Sequence, residues 1–234
     1  MHVRLILFDI DGTLVDTGGA GRRALLATFD RLFGPLSFVG ADRVPFGGRT
    51  DTSILRDLAR KLGIDEQRLA ARSAEFERTY AVMLRRELSR DGAPAQRVLP
   101  GVLQLLEALM RRRDSRLGLL TGNIATGARL KLERHRTDRF FEGGGFGDDA
   151  PDRRGVALKA RDDMARRCGI EFSAGDVVVV GDTDQDVDCA QAHGFRAIAV
   201  DTGWAEPGSL IAARPDALFD DLSDTDTVLR AIFD

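Results

Sequence analysis

The sequence predicts an α/β protein: a parallel sheet with helices on both faces, interrupted by a small helical insertion. Three observations predict it. Four short apolar runs, Val3–Phe8, Leu117–Leu120, Val177–Val180 and Ala197–Val200, each end abruptly in a polar cluster. Stretches of helical periodicity lie between them. From about Thr17 to Pro100 the alternation lapses, and only helical pattern is found.

Short continuous runs rich in Val, Ile and Leu belong to strands buried on both faces. Of the helical stretches, Val102, Leu105, Leu106 and Leu109 fit i, i+3, i+4, i+7 after Pro100-Gly101. Leu130–Arg136, Val156–Arg167 and Gln185–Ala192 carry weaker versions of the same spacing. Strands alternating with helices in this way build a parallel sheet, joined by right-handed crossovers. In the exceptional region, Ala24–Phe33, Thr52–Leu62 and Asp65–Arg90 are expected as three helices, the last capped by Asp65. An insertion of about 80 residues is too long for a loop. It is expected to be a helical domain over residues 18–97, inserted into a core made of residues 1–17 and 98–234. Its hinges would be Thr17-Gly18-Gly19 and Gly92–Pro100. Glu142–Asp152, rich in glycine and aspartate, is expected to be a loop or a short broken strand.

The 234 residues are 43% hydrophobic and 30% charged, which excludes wholesale disorder. A net charge of −3, from 34 Lys+Arg against 37 Asp+Glu, gives no global pull toward nucleic acid or anionic membranes. No stretch approaches the ~20 apolar residues of a membrane span. The two cysteines, Cys168 and Cys189, form no paired motif. A cytoplasmic protein with neither nucleic-acid nor membrane partners is expected. Only three bases are lysines, namely Lys61, Lys131 and Lys159.

In open parallel sheets ligands bind beyond the carboxyl ends of the strands. The polar clusters should therefore converge on one crevice. The first is Asp9-Ile10-Asp11-Gly12-Thr13-Leu14. Two carboxylates at i and i+2 leave a strand end on one side, and such close like charges raise one pKa. One can serve as nucleophile and the other as proton carrier. A calcium loop is excluded, because Leu14 and Ala20 stand where an EF-hand needs Gly and Glu. The second cluster, Thr121-Gly122-Asn123, offers a hydroxyl and backbone N–H groups to an oxyanion, or equally a helix N-cap. The third, Gly181-Asp182-Thr183-Asp184-Gln185-Asp186, sets Asp182 and Asp186 at i, i+4. Such hard oxygen donors suit magnesium, although helix capping explains one of these acids. A phosphate-binding cation is sought among Arg153, Arg154 and Lys159.

The ordered motifs D-I-D-G-T-L, L-L-T-G-N and V-V-G-D-T-D-Q-D resemble the haloacid dehalogenase-like hydrolase superfamily. The resemblance is nearest to its phosphoglycolate phosphatase-like branch, and it spans essentially the whole chain. It implies a Rossmann-like core with a helical cap and a Mg2+-dependent phosphatase of small phosphomonoesters. Asp9 matches the nucleophile that forms an aspartyl-phosphate, and Asp11 the general acid. Thr121 matches the residue that hydrogen-bonds the phosphoryl group, with Gly122 and Asn123 beside it. Asp182 matches a magnesium ligand, together with Asp9 and the main-chain carbonyl of Asp11, and Asp186 supports the metal.

The departure lies in the third family motif, normally a Lys often followed by Pro. The chain has Asp152-Arg153-Arg154-Gly155 at that place, and Arg153 fits best by position. Its planar fork suits phosphate. In the cap, Arg49 follows Phe46-Gly47-Gly48 and is a candidate to read a second anionic group, or else to pair with Asp51 or lie in solvent. Tyr80 and Cys189 read as core, and His2, His135 and His193 as incidental. A sugar phosphomutase, a haloacid dehalogenase and a non-catalytic binding protein on the same fold stay open beside the phosphatase. Asp11 and the metal acids argue against the dehalogenase, since a halide leaves without protonation.

Overall fold

A computed structural model describes residues 2–35, 44–90 and 96–234. The chain opens with β1 (Arg4–Phe8), a two-residue strand β2 (Val15–Asp16) and α1 (Ala20–Phe33). Helices α2 (Asp51–Lys61), α3 (Glu66–Ala71) and α4 (Ser73–Leu88) follow, then β3 (Arg97–Val98). The remainder alternates: α5 (Val102–Met110), β4 (Ser115–Leu120), α6 (Ala125–His135), β5 (Gly144–Gly145), α7 (Arg153–Cys168), β6 (Val177–Gly181), α8 (Asp184–Gln191), β7 (Arg196–Val200), α9 (Ser209–Ala213), β8 (Ala217–Phe219) and α10 (Thr225–Phe233).

Six strands form one sheet in the order β5-β4-β1-β6-β7-β8, and every pairing in it is parallel. The four apolar runs are its four inner strands, β4, β1, β6 and β7. Alternate side chains of β1 face opposite ways. Ile6 and Phe8 pack with Leu105, Leu106 and Leu109 of α5 and Val228 and Ile232 of α10. Leu5 and Leu7 pack with Val156, Ala160 and Met164 of α7 and Val187 of α8. All four strand residues are fully buried, and each contributes roughly 1.5–3 kcal/mol by leaving water.

The two edge strands, β5 and β8, are short. Strand β5 falls in the glycine-rich segment, within its alternative of a short broken strand. Strand β8, which the sequence analysis did not name, is an apolar run of only three residues, Ala217–Phe219, and is partly exposed. The single helix expected over 65–90 is two helices that meet at Arg72. Asp65 does cap the first, its carboxylate accepting from the N–H of Arg68 at 2.7 Å. A short strand, β3, also interrupts the expected all-helical stretch, pairing antiparallel with β2. Residues 92–95 of the second expected hinge lie outside the described residues.

Helices α1, α2 and α4 share a cluster of their own, with Phe29, Ile54, Leu58, Tyr80 and Leu84 buried in it. Helix α6 joins both clusters. Its Ala128 and Leu132 pack under the sheet, while Leu130 packs toward Tyr80 and its neighbours. Among the described residues no helix is long and apolar enough to cross a membrane.

Candidate active site

Because β1 lies between β4 and β6, the loops that leave these three strands are neighbours in space. They carry the three polar clusters into one cavity of about 590 Å³. Asp9, Asp11, Thr121, Gly122, Asn123, Arg153, Asp182 and Arg49 all line it, so residues scattered from 9 to 182 meet there as expected. Asp186 stands behind Asp182 and Arg153.

One carboxylate oxygen each from Asp9, Asp182 and Asp186 lie within 4.8 Å of one another, all buried. Thr13 Oγ1 donates to Asp182 Oδ1 at 3.0 Å. Asp182 Oδ2 is buried without a hydrogen-bond partner. A side chain on Gly12 (φ +87°) or on Gly203 would collide with the Asp182 carboxylate, so both glycines keep its surroundings open. Three buried carboxylates against one guanidinium, with one oxygen left bare, form a donor set that fits a divalent cation. Asp186 also does the capping work that the sequence allowed. Its Oδ2 accepts from the Thr183 backbone N–H at 3.1 Å and from Thr183 Oγ1 at 2.6 Å.

Arg153 is the first residue of α7, behind the cap formed by Asp152 and the N–H of Gly155. Its guanidinium is buried, bonds Asp186 and lies 3.0 Å from Asp9 Oδ1. Arg154 instead pairs with Asp188 at the surface, and Lys159 is exposed. Burial disfavours the Arg153 cation, but Asp186 and Asp9 outweigh it and hold its pKa above the ordinary value. Burial pushes Asp9 up to about 6 against the attraction of Arg153, with Asp186 and Asp11 adding to the rise. Burial, then Asp9 and Asp186, push Asp182 upward as well.

Asp11 is set apart from this group. Its Oδ2 accepts from Asn123 Nδ2 at 2.8 Å and from Lys131, and its Oδ1 from Thr17 Oγ1 at 3.3 Å. Asn123 Nδ2 also donates to Thr121 Oγ1 at 2.8 Å. Arg49 reaches the cavity wall, but its guanidinium is held by Asp57 at 2.7 Å, not by Asp51. The first turn of α2 is bonded to the loop after β4. The Asp51 N–H donates to the Gly122 carbonyl at 2.7 Å, and its Oδ2 accepts from the Ile124 N–H at 3.0 Å. Thr52 Oγ1 donates to the Gly147 carbonyl at 2.6 Å.

Lining residues that the sequence did not mark as site residues include Lys131, Asp51, Phe46 and the exposed Trp204. Lys131 had a signal. It follows Ile124 and Gly127-Ala128 at helical spacing, which puts it on the buried face of α6.

The family model described as haloacid dehalogenase-like hydrolase matches residues 6–200. A phosphoglycolate phosphatase of Synechococcus elongatus is 30% identical over 224 residues, 95% of each chain. Phosphoglycolate phosphatase 1 of Pseudomonas aeruginosa is 30% identical over 229 residues, covering 94% of this chain and 78% of its own. Among solved structures, a hydrolase from Pseudomonas syringae superposes with a TM-score of 0.68 at 20% identity over 99% of both chains, a likeness of fold.

Proposed function

The chain belongs to the haloacid dehalogenase-like hydrolase family, and on that footing we propose that it is a Mg2+-dependent phosphatase of small phosphomonoesters. The observation that carries this reading is the buried Asp9, Asp182 and Asp186 cluster, with the bare Asp182 oxygen beside Arg153. Asp9, Asp182 and Asp186, with the main-chain carbonyl of Asp11, would hold the ion. Bound magnesium would neutralise phosphoryl charge and let two anions meet.

The chain's own residues divide the work. Asp9 attacks phosphorus through a carboxylate oxygen, and the bond to the leaving oxygen breaks as Asp11 gives that oxygen a proton. Arg153 and Thr121, with the backbone about Gly122 and Asn123, hold the non-bridging oxygens. Asp11, now a carboxylate, takes a proton from water as that water attacks the aspartyl-phosphate. Inorganic phosphate leaves and Asp9 is restored. The insertion over 18–97 acts as a cap that chooses among substrates, with Arg49 on the cavity wall as a reader of a second anionic group. A cavity of about 590 Å³ suits a small ester, and the names of the relatives put phosphoglycolate first in the panel. The free thiols Cys168 and Cys189 suit the reducing cytoplasm.

The test is phosphate release from phosphoglycolate, sugar phosphates and nucleoside monophosphates, with Mg2+ or with EDTA, for wild type and Asp9→Asn. Release that needs Mg2+ and vanishes in Asp9→Asn is expected. Isomerisation of a sugar phosphate without net release, or turnover that survives EDTA, would overturn it.

A further inference from the structure

Lys131 is the one lysine in the cavity wall, and only 3% of it is exposed. Helical side chains lean toward the N-terminus, so Lys131 reaches back along α6 to the loop that carries Thr121 and Asn123. Its Nζ donates to Asp11 Oδ2 and, at 2.5 Å, to Asn123 Oδ1. The Asn123 amide nitrogen donates to the same Asp11 oxygen at 2.8 Å. Lys131 and Asn123 therefore bond each other and converge on one oxygen of one carboxylate.

The insertion builds the niche. Gly21 of α1 faces the ammonium so closely that a Cβ there would fall 2.7 Å from Nζ. Tyr80 of α4 is buried beside it, and its ring would meet a Cβ on Gly127 at 2.9 Å. An ammonium taken out of water needs charged or polar partners. Asp11 and Asn123 are those partners, and all three groups border the cavity.

We infer that Lys131 is a positioning residue for Asp11. It pins Oδ2 against Asn123 and leaves Oδ1, which has only the longer 3.3 Å contact from Thr17, as the oxygen turned to the leaving group. This inference rests on the phosphatase reading, in which Asp11 gives a proton to the leaving oxygen. The helical insertion thus orients the acid as well as choosing the substrate.

The test exploits the leaving group. An alkyl phosphate needs proton donation to its departing alkoxide, whereas 4-nitrophenyl phosphate does not. In Lys131→Met, kcat on the alkyl ester is expected to fall about 100-fold or more, and kcat on the nitrophenyl ester by less than about fivefold. Gly21→Ala keeps the lysine but crowds it from Asp11, and should show the same selective loss; it serves if Lys131→Met fails to fold. Equal losses on both esters, or a change confined to KM, would overturn the inference while Asp9→Asn still abolishes turnover. Persistent turnover in Asp9→Asn would instead sink the underlying phosphatase reading.

Discussion

Arg153 lies 3.0 Å from Asp9, and the same guanidinium bonds Asp186. It is the only positive side chain bonded to the buried acid cluster among the described residues. Truncating one partner of a buried ion pair leaves the other's charge uncompensated, at about 3–5 kcal/mol. Arg153→Ala should therefore destabilise the metal-free protein by about that much at pH 8. The loss should shrink near pH 5, where Asp9 can take up a proton. Urea unfolding in EDTA at the two pH values checks this, and equal losses at both would refute it.

Metal affinity should depend on pH through the same acids. Ligands bind metal deprotonated, and Asp9 takes up a proton near pH 6, while burial raises Asp182 as well. Below that pH, the Mg2+ concentration for half-maximal activity should rise about tenfold or more per pH unit. A half-saturation that stays constant from pH 5 to pH 7 would contradict it.

Asp51 offers a stability switch. Burial outweighs the attraction of Lys131 and the Ile124 N–H and lifts its pKa from 3.8 to about 6. The folded state therefore binds this proton more tightly than the unfolded chain. The group's stability contribution is full below about pH 4 and is lost as pH rises through 6. Asp51→Asn removes the penalty and keeps an acceptor for Ile124. It should be more stable than wild type by about 3 kcal/mol at pH 8 and no more stable at pH 4. Thermal unfolding at both values decides the matter.

Gly203 keeps the space beside Asp182 open, without the left-handed backbone that Gly12 needs. Gly203→Ala sets a methyl against the carboxylate. Mg2+ affinity should drop by at least about tenfold, with about 1–3 kcal/mol of overpacking strain in the metal-free protein. Unchanged Mg2+ titrations would show that Asp182 moves aside at no cost to binding.

The core was legible because strands buried on both faces must be continuously apolar, as Val177–Val180 is. The residues that leave such strands are then brought together by sheet order alone, which is why the sequence joins Asp9, Thr121 and Asp182. Position in the chain singles out Arg153, whose guanidinium lies beside Asp9. What stayed hidden depended on contacts between distant elements. Gly144-Gly145 pairs with β4 without a side-chain pattern, and Ala217–Phe219 is a half-exposed edge. Helical spacing puts Lys131 on the buried face of α6, but its partners Asp11 and Asn123 and its neighbours Gly21 and Tyr80 come from other elements. Asp57, six residues beyond Asp51, holds Arg49 because α2 turns it that way.

The β2–β3 ladder pairs Val15 with Val98 and Asp16 with Arg97, so the chain leaves the sheet and returns to it at one point. Leu99 closes the same clasp, its N–H donating to the Leu14 carbonyl at 3.0 Å. The described part of the insertion is joined to the rest at this base and again at α2, where the Asp51 N–H donates to the Gly122 carbonyl and Thr52 Oγ1 to the Gly147 carbonyl. On the reading of the insertion as a cap, a cassette of another length that restored these bonds would be expected to bring a new selectivity. At the Lys131 niche a replacement would also have to present a residue as small as Gly21, to leave the ammonium its room.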